Sequence, residues 1–461
     1  MKHYLFTIIL ISIFTILHCS SEKKDDTGTL LAAAALASSS SSSCGTLTLD
    51  SVTAHSKNNL MAIAKATTTA SAQVAIEFSA SGTETLTTSY STAGTSHEIT
   101  VMGMRANTQY AMKAKCGTAY SDAKTFTTGS LPSNAPTVTL VTKDNNSLGG
   151  IVVFGVGVGK RTNPWIRKVS AGNILVAFDD EVKTMKTNGD IVTTYDLSSL
   201  KSSGSYHHDA VILPNGNIMT LGYEYGTSTT GGNISGDKIV ELDSSGNTKW
   251  EWSTFSYLDK ERFPGSLANA TKTYQGTSYK EWSHCNALYY SSTDSSVILS
   301  CRSQSWVIKI DYSTKAIKWI MGSNTGISST YNKQFMTLQS GSWMTGQHAP
   351  VITSSGSILL YDNRNESNGT TSMSRAVQFT LNETAYTATQ SWEYVAPKYT
   401  MSLGDVDELS NKNILICSGG PGTDQNARIL EVNSSGTDVW QIQVSNTSVY
   451  RAERISWSDF L

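Results

Sequence analysis

The chain has 461 residues, with 35 lysines and arginines against 37 aspartates and glutamates, a formal net charge of −2, eight histidines and six cysteines. That length accommodates one large domain beside a smaller one, with a core that needs no metal or dense disulfide framework. A charge balance this close to zero excludes a charge-driven nucleic-acid binder or a polybasic membrane binder, so any anion must be met by local groups.

Residues 1–19 read as an export signal. Lys2 and His3 supply a basic start, and the apolar run from Tyr4 to Leu17 is short for a bilayer span. Cys19 ends the run and resembles a lipidation site, with His18 standing where a small residue is usual. Residues 20–43, with Glu22 to Asp26 charged and Ser38 to Ser43 unbroken serine, cannot bury enough apolar surface to fold and are expected to be a flexible tether. The expectation is an exported protein, periplasmic or attached to the outer membrane as a lipoprotein, touching membrane only through its lipid.

Residues 44–135 carry short alternating runs, such as Val74 to Phe78 and Tyr110 to Lys115, separated by Ser, Thr and Gly turns, as in a small β-sandwich with a linker after it. The approach to Tyr110, from Met104 onward, resembles a late strand of fibronectin type III modules, in which the tyrosine packs as a corner. Cys44 and Cys116 bracket this segment and are the favoured disulfide; five cysteines beyond Cys19 leave at least one unpaired within the chain. No Cys-x-x-Cys or histidine-rich spacing marks a structural zinc site.

From residue 136 to 461 a repeat emerges when turns are aligned. Gly172, Gly216, Gly356 and Asn413 each lie in a turn that precedes an apolar strand, and strand–turn–strand segments ending in Trp250, Trp319 and Trp440 recur downstream. Unit starts near Pro164, His208, His284, His348, Gly404 and Tyr450 predict an all-β, six-bladed β-propeller. The stretch after Tyr450 is too short for a whole blade, so strands around Thr137 to Val158 are expected to complete the ring.

The repeat also orders the histidines. His208 and His348 stand at the same offset before Gly216 and Gly356, and His284 precedes the comparable strand, so three imidazoles are expected around one end of a channel. Placing a turn at Ser291 to Ser295 sets Arg302 opposite His284 and Cys285 opposite Cys301. The two cysteines could bond across the strands or remain buried thiols, and thiols are the favoured reading. A lone histidine in a β protein is ordinarily a surface or core residue. Three histidines in equivalent places also suit a catalytic zinc, but a guanidinium beside them argues against a cation and for a tetrahedral anion. No metal is expected.

Tyr206-His207-His208-Asp209, Trp282-Ser283-His284-Cys285-Asn286, Ser300-Cys301-Arg302, Gly346-Gln347-His348-Ala349-Pro350 and Tyr450-Arg451-Ala452-Glu453-Arg454 together resemble the bacterial arylsulfate sulfotransferases, over residues 44–461. The resemblance implies a β-sandwich followed by a six-bladed propeller and transfer of a sulfuryl group from a phenolic sulfate ester to another phenol. It needs no cofactor and no nucleotide donor, in keeping with glycines at 149–150 and 157–159 that precede no credible helix. It makes His348 the nucleophile, His284 the general acid and base, and Arg302 with His208 the groups that stabilise the sulfuryl oxygens. Whether His208 or His284 handles the proton stays open. Asn286 is a further pocket donor, while Thr400, Ser402 and Arg451 read more readily as packing residues. Dimerisation through the sandwich is a family expectation. The rival from another class is a noncatalytic surface lipoprotein that binds a partner through its loops. A metal-dependent sulfatase is weaker still, for want of its activated Cys or Ser motif.

Overall fold

In the computed structural model the described residues are 44–156, 165–169, 172–178, 181–203, 206–365, 372–420 and 424–456. The export signal, Cys19, the tether, Pro164 and the Ala171 side of the first repeat turn lie outside them. The chain divides into two compact units, one ending at Ala135 and one spanning Pro136–Ile455.

Strict alternation governs the first unit. Gln109–Cys116 buries every second side chain, as a strand with one solvated face must. Leu47–His55, Asn58–Ala72 and Gly94–Val101 form one antiparallel sheet, and Ala75–Ser79, Gln109–Cys116 and Lys124–Thr127 lie in another. Their inner faces share one core that includes Ala62, Ala64, Ile76, Phe78 and Met112. Tyr110 buries its ring and its hydroxyl accepts the Arg105 N–H at 2.8 Å. Cys44 is bonded to Cys116, as expected.

The second unit is a succession of antiparallel meanders. Four strands within 166–196 form one sheet, and further four-stranded meanders begin at Tyr206, Cys285, His348 and Asp405. Ala452–Ile455 pairs with Ile151–Phe154, and Val138–Lys143 adds to the outer strand Asp438–Val444. The early strands therefore do meet the late ones, but in two different sheets rather than in one. The leading strands pack in order: Tyr206–Ile212 on Cys285–Ser291, that strand on His348–Ile352, and that one on Asp405–Glu408. Ala452–Ile455 touches both Ile414–Ser418 and Ile166–Lys168.

The turns explain why His208 and His348 correspond. Leu213 N–H bonds to Asn217 O and Gly216 N–H to Leu213 O, and the same pair of bonds joins Thr353 to Ser357 and Gly356 to Thr353. Gly216 and Gly356 take φ of 82° and 81°, a conformation that costs glycine little and other residues more. Just ahead of each turn the leading strand is bulged, between His207 and Ala210 and between His348 and Val351; a related bulge lies between Cys285 and Ala287. His208 and His284 adopt φ of 59° and 44°. Such bulges re-aim side chains, and here they turn imidazoles away from the regular pleat.

The hairpin register expected from sequence is present: Cys285 faces Cys301, and Arg302 N–H donates to His284 O at 3.0 Å. The thiol reading is overturned, because Cys285 and Cys301 are joined as a disulfide, their Cα atoms 3.7 Å apart where the bulge draws the strands together. Cys417 is the free, buried cysteine among the described residues.

At the meeting of the leading strands lies Asp209, fully buried. Its Oδ2 accepts from Arg167 Nη2 at 2.7 Å and from the Leu288 N–H at 2.8 Å, and Arg451 Nη2 lies 3.0 Å away. Asp209→Asn would leave the buried Arg451 and the part-buried Arg167 short of a counter-charge and is expected to cost about 3–5 kcal/mol of stability, measured by urea unfolding.

Nearby, the carboxylates of Asp405, Asp407 and Glu453 lie within 4.8 Å of one another. Burial and mutual repulsion push all three pKa values up to about 7. Their folded-state pKa values exceed those of an unfolded chain, so their contribution is fully present below about pH 4 and is lost as pH rises through 7. Asp407→Asn should therefore flatten the fall in melting temperature between pH 5 and pH 8, read by calorimetry.

Candidate active site

The structure brings together the four residues at the centre of the sequence reading. The His208 ring lies 4.9 Å from that of His284. Tyr450 stands edge-on between His208 and His348, 6.2 and 6.1 Å from their centroids. Arg302 acts electrostatically on His348 and on Glu281. Its Nη2 donates to Met401 O at 3.3 Å, while its buried Nε has no hydrogen-bond partner. An unpaired guanidinium N–H beside imidazoles is suited to an anion's oxygens.

Each imidazole is held at Nδ1 by a different kind of partner. His348 Nδ1 lies 2.7 Å from Asn363 Oδ1. Asn363 directs its amide nitrogen at the carbonyls of Thr400 and Leu403, at 3.0 and 2.8 Å, which fixes Oδ1 as the acceptor. The proton of neutral His348 must then sit on Nδ1, and Nε2 carries the free lone pair. Burial, followed by the charge of Arg302, holds the His348 pKa well below the ordinary histidine value.

His284 Nδ1 lies 3.0 Å from Glu281 Oε2. Burial works against the Glu281 carboxylate, but its hydrogen bond to His284 and the surrounding positive charges outweigh it and hold its pKa below the usual range. His208 Nδ1 faces His207 Nδ1 at 2.8 Å, and His207 Nε2 lies 3.1 Å from Asp237 Oδ1. One proton must occupy the contact between the two imidazoles. With the His207 proton turned toward Asp237, His208 supplies it and keeps Nε2 bare while neutral. Burial, then the neighbouring imidazoles, depresses the His208 pKa strongly.

Asn286, expected as a pocket donor, reaches the residue before His348 and leaves its Oδ1 without a hydrogen-bond partner. Its side chain is fully buried and its amide donates to Gln347 O at 2.8 Å, so it braces the residue before His348 from behind. Tyr450 donates its hydroxyl to Asn286 O at 3.1 Å. Thr400 is buried, with its hydroxyl 2.8 Å from Tyr361 Oη, and Arg451 is held by Asp209, so both are packing residues. Ser402 lies beside them in the loop before Leu403, part-exposed. Sequence reasoning missed Asn363, Glu281 and His207 as partners. The last two had a signal in their closeness along the chain to His284 and His208, but Asn363 had none.

A small, partly open pocket lies on the His208 and His284 side of these groups, lined by His207, His208, Tyr223, Ser235, Asp237, Lys272, Glu281 and His284. Among the described residues, the one group with metal-ligand spacing is Asp405, Asp407 and Glu453, and Arg451 Nη1 already lies 3.7 Å from Asp405.

Asn363 already opposes the burial that keeps His348 neutral, and a carboxylate in its place should favour the charged ring more strongly. Asn363→Asp is expected to raise the His348 pKa by one unit or more, followed by NMR titration of its ring proton; an unchanged titration would contradict the hydrogen-bond assignment.

A family profile described as arylsulfotransferase matches residues 150–451. The arylsulfate sulfotransferase AssT of Escherichia coli is 24% identical over 269 residues, 46% of this chain and 45% of that protein, so the chain spans about half the length of this curated relative. Among solved structures, the periplasmic gluconolactonase PpgL of Pseudomonas aeruginosa is 7% identical at TM-score 0.35, covering 69% of this chain and 98% of that one. A calcium-binding regucalcin from Agrobacterium tumefaciens is 11% identical at TM-score 0.32, covering 63% and 78%. The profile match spans the strands that carry His208, His284, Arg302 and His348, and by it the chain belongs to the arylsulfotransferase family.

Proposed function

We propose that the protein is an arylsulfate sulfotransferase that passes a sulfuryl group from a phenolic sulfate ester to a second phenol through a sulfo-histidine on His348, with no nucleotide donor. The observation that carries the reading is the set of Nδ1 partners: an amide at His348, a carboxylate at His284 and a second imidazole at His208. Three similar side chains thereby acquire three different chemistries.

His348 Nε2 attacks sulfur in line with the aryl oxygen, the S–O bond breaks, and the departing phenolate takes a proton from His284. Glu281 supplies the counter-charge for the second proton that His284 carries at that moment. The Asn363 bond retains the proton on His348 Nδ1, so the sulfated ring is cationic and a good leaving group. A second phenol then gives its proton to His284, its oxygen attacks sulfur, and the N–S bond breaks to restore His348. As in phosphoryl transfer, most of the catalysis lies in placement and in charge on the peripheral oxygens, which is the task of Arg302. Neutral His208 would offer the anion only a lone pair. It becomes a donor on taking a proton, whose charge the buried Asp237 can balance through His207.

The propeller completes this reading. Meanders starting at residues 166, 206, 285, 348 and 405, with the pair Ala452–Ile455 and Ile151–Phe154 as the sixth, would form six blades around the histidines. The Tyr110 corner supports a fibronectin type III-like sandwich. Export and anchoring through Cys19 belong to the same proposal and rest on residues 1–19 of the sequence.

Incubation with 4-nitrophenyl sulfate and phenol should release 4-nitrophenol together with phenyl sulfate, and the rate should depend on phenol. His348→Asn is expected to lower transfer at least a thousandfold, by the scale of a lost nucleophile, while His284→Asn should penalise poor leaving groups more than 4-nitrophenol. Release indifferent to phenol, or retained in His348→Asn, would overturn the assignment. Since the His348 pKa lies well below the ordinary value, the acid limb of kcat/KM for the free enzyme should fall below pH 6.5.

A further inference from the structure

The meander that starts at Tyr206 carries an addition the other meanders lack. Its strands Ile218–Ser228 and Gly232–Leu242 are long, and a hairpin of Thr271–Tyr274 and Thr277–Glu281 is joined to them, with Ile234 and Ser235 paired in parallel to Lys280 and Glu281. The hairpin ends at Glu281, the partner of His284, so it reaches the edge of the candidate site. It also brings Lys272 to the pocket, beside Tyr223.

Lys272 Nζ stands 3.4 Å from the centre of the Tyr223 ring and 5.6 Å from that of Tyr225. Among the described residues no carboxylate lies within ion-pair distance of it. The acids that act on it from nearby are already engaged. Asp237 accepts from Ser283 Oγ and the Cys285 N–H and faces His207, and Glu281 is bound to His284. Lys272 is a half-buried cation lining the pocket with no direct ion pair among the described residues, and burial lowers its pKa against the opposing charges of Asp237 and Glu281. Desolvating an ammonium in this way is costly unless an anion arrives to pair with it.

Its position is defined by stacking. His207 lies on Tyr223 at 3.9 Å between centroids, and two groups this close to one ring must occupy opposite faces. The ammonium is therefore separated from His207 by the thickness of an aromatic ring, while His208 and His284 line the same pocket. Tyr225, stacked on Tyr274 at 4.3 Å and next to Tyr279 at 4.7 Å, adds an aromatic rim.

We propose that Lys272 is a specificity residue that pairs with an anionic substituent, carboxylate in type, on the aryl ring of the substrate. A phenol whose reacting oxygen meets His284 would carry that substituent toward the inserted hairpin and Lys272. The inference rests on the sulfotransferase reading for its reaction, but not for its binding chemistry. Arg302 and the imidazoles then serve the sulfuryl group, while Lys272 reads the far side of the ring.

The test compares 4-hydroxybenzoate with phenol for the full chain and for Lys272→Met and Lys272→Arg, each shown by thermal melting to be folded. Two quantities are measured: binding by calorimetry, and transfer from 4-nitrophenyl sulfate. The wild-type chain should bind 4-hydroxybenzoate about tenfold or more tighter than phenol, on the scale of a charge-assisted bond. Lys272→Met should abolish that preference in binding and in the kcat/KM ratio, and Lys272→Arg should largely restore it. Equal binding of the two ligands by the wild type, or a ratio unmoved in Lys272→Met, would overturn the proposal. If binding shows the preference and no transfer occurs to either acceptor, the sulfotransferase reading fails while the Lys272 assignment stands.

Discussion

The second unit depends on one buried carboxylate. Asp209 follows His208 directly and gathers Arg167, Arg451 and the Leu288 N–H around a single side chain. These three partners belong to or adjoin three sheets other than the one that carries Asp209, so satisfying the charge of Asp209 draws the leading strands to a common point. A buried anion is costly unless its hydrogen bonds are complete, and completing them here requires the sheets to be assembled. The residue that orients the fold is thus a neighbour in sequence of a residue that faces the cavity, and any misplacement of one is transmitted to the other.

The three histidines illustrate how little of a side chain's chemistry resides in its own identity. His208, His284 and His348 emerge from comparable bulged or left-handed positions at the starts of their strands. They are distinguished by what lies behind each Nδ1. An amide contributes no charge and fixes a tautomer; a carboxylate supports a second proton; an imidazole backed by a carboxylate lies between these extremes. The open question of which histidine handles the proton is decided in favour of His284 by Glu281, in the proposed mechanism.

Legibility in the sequence followed the range of the interactions. The turn glycines Gly216 and Gly356 repeat because the backbone there needs positive φ, so aligning them sufficed to match His208 with His348. Hairpin pairing is local and set Arg302 against His284 and Cys285 against Cys301. What bonds these groups make was harder to read. The register offered the disulfide as one of two outcomes, but regular pleating, which strains a bond between directly opposed cysteines, favoured the wrong one. Asn363 lies 15 residues from His348 and meets it across the hairpin after a bulge has changed the register. Asn286 sits two positions after His284, yet its side chain turns inward to Gln347. Lys272 escaped notice because the hairpin that carries it interrupts the repeat on which the reading was built.

The pairing of Ile151–Phe154 with Ala452–Ile455 joins segments 300 residues apart in the chain. Contacts of such sequence separation carry a large loop-closure entropy and form late. Tyr450 and Arg451 lie just before that closing strand, so the ring between His208 and His348 and the second guanidinium on Asp209 arrive with it. A nascent chain that has not yet presented these residues has three histidines but no enclosure for them. Until that strand pairs, nothing holds the Tyr450 ring in its place between His208 and His348.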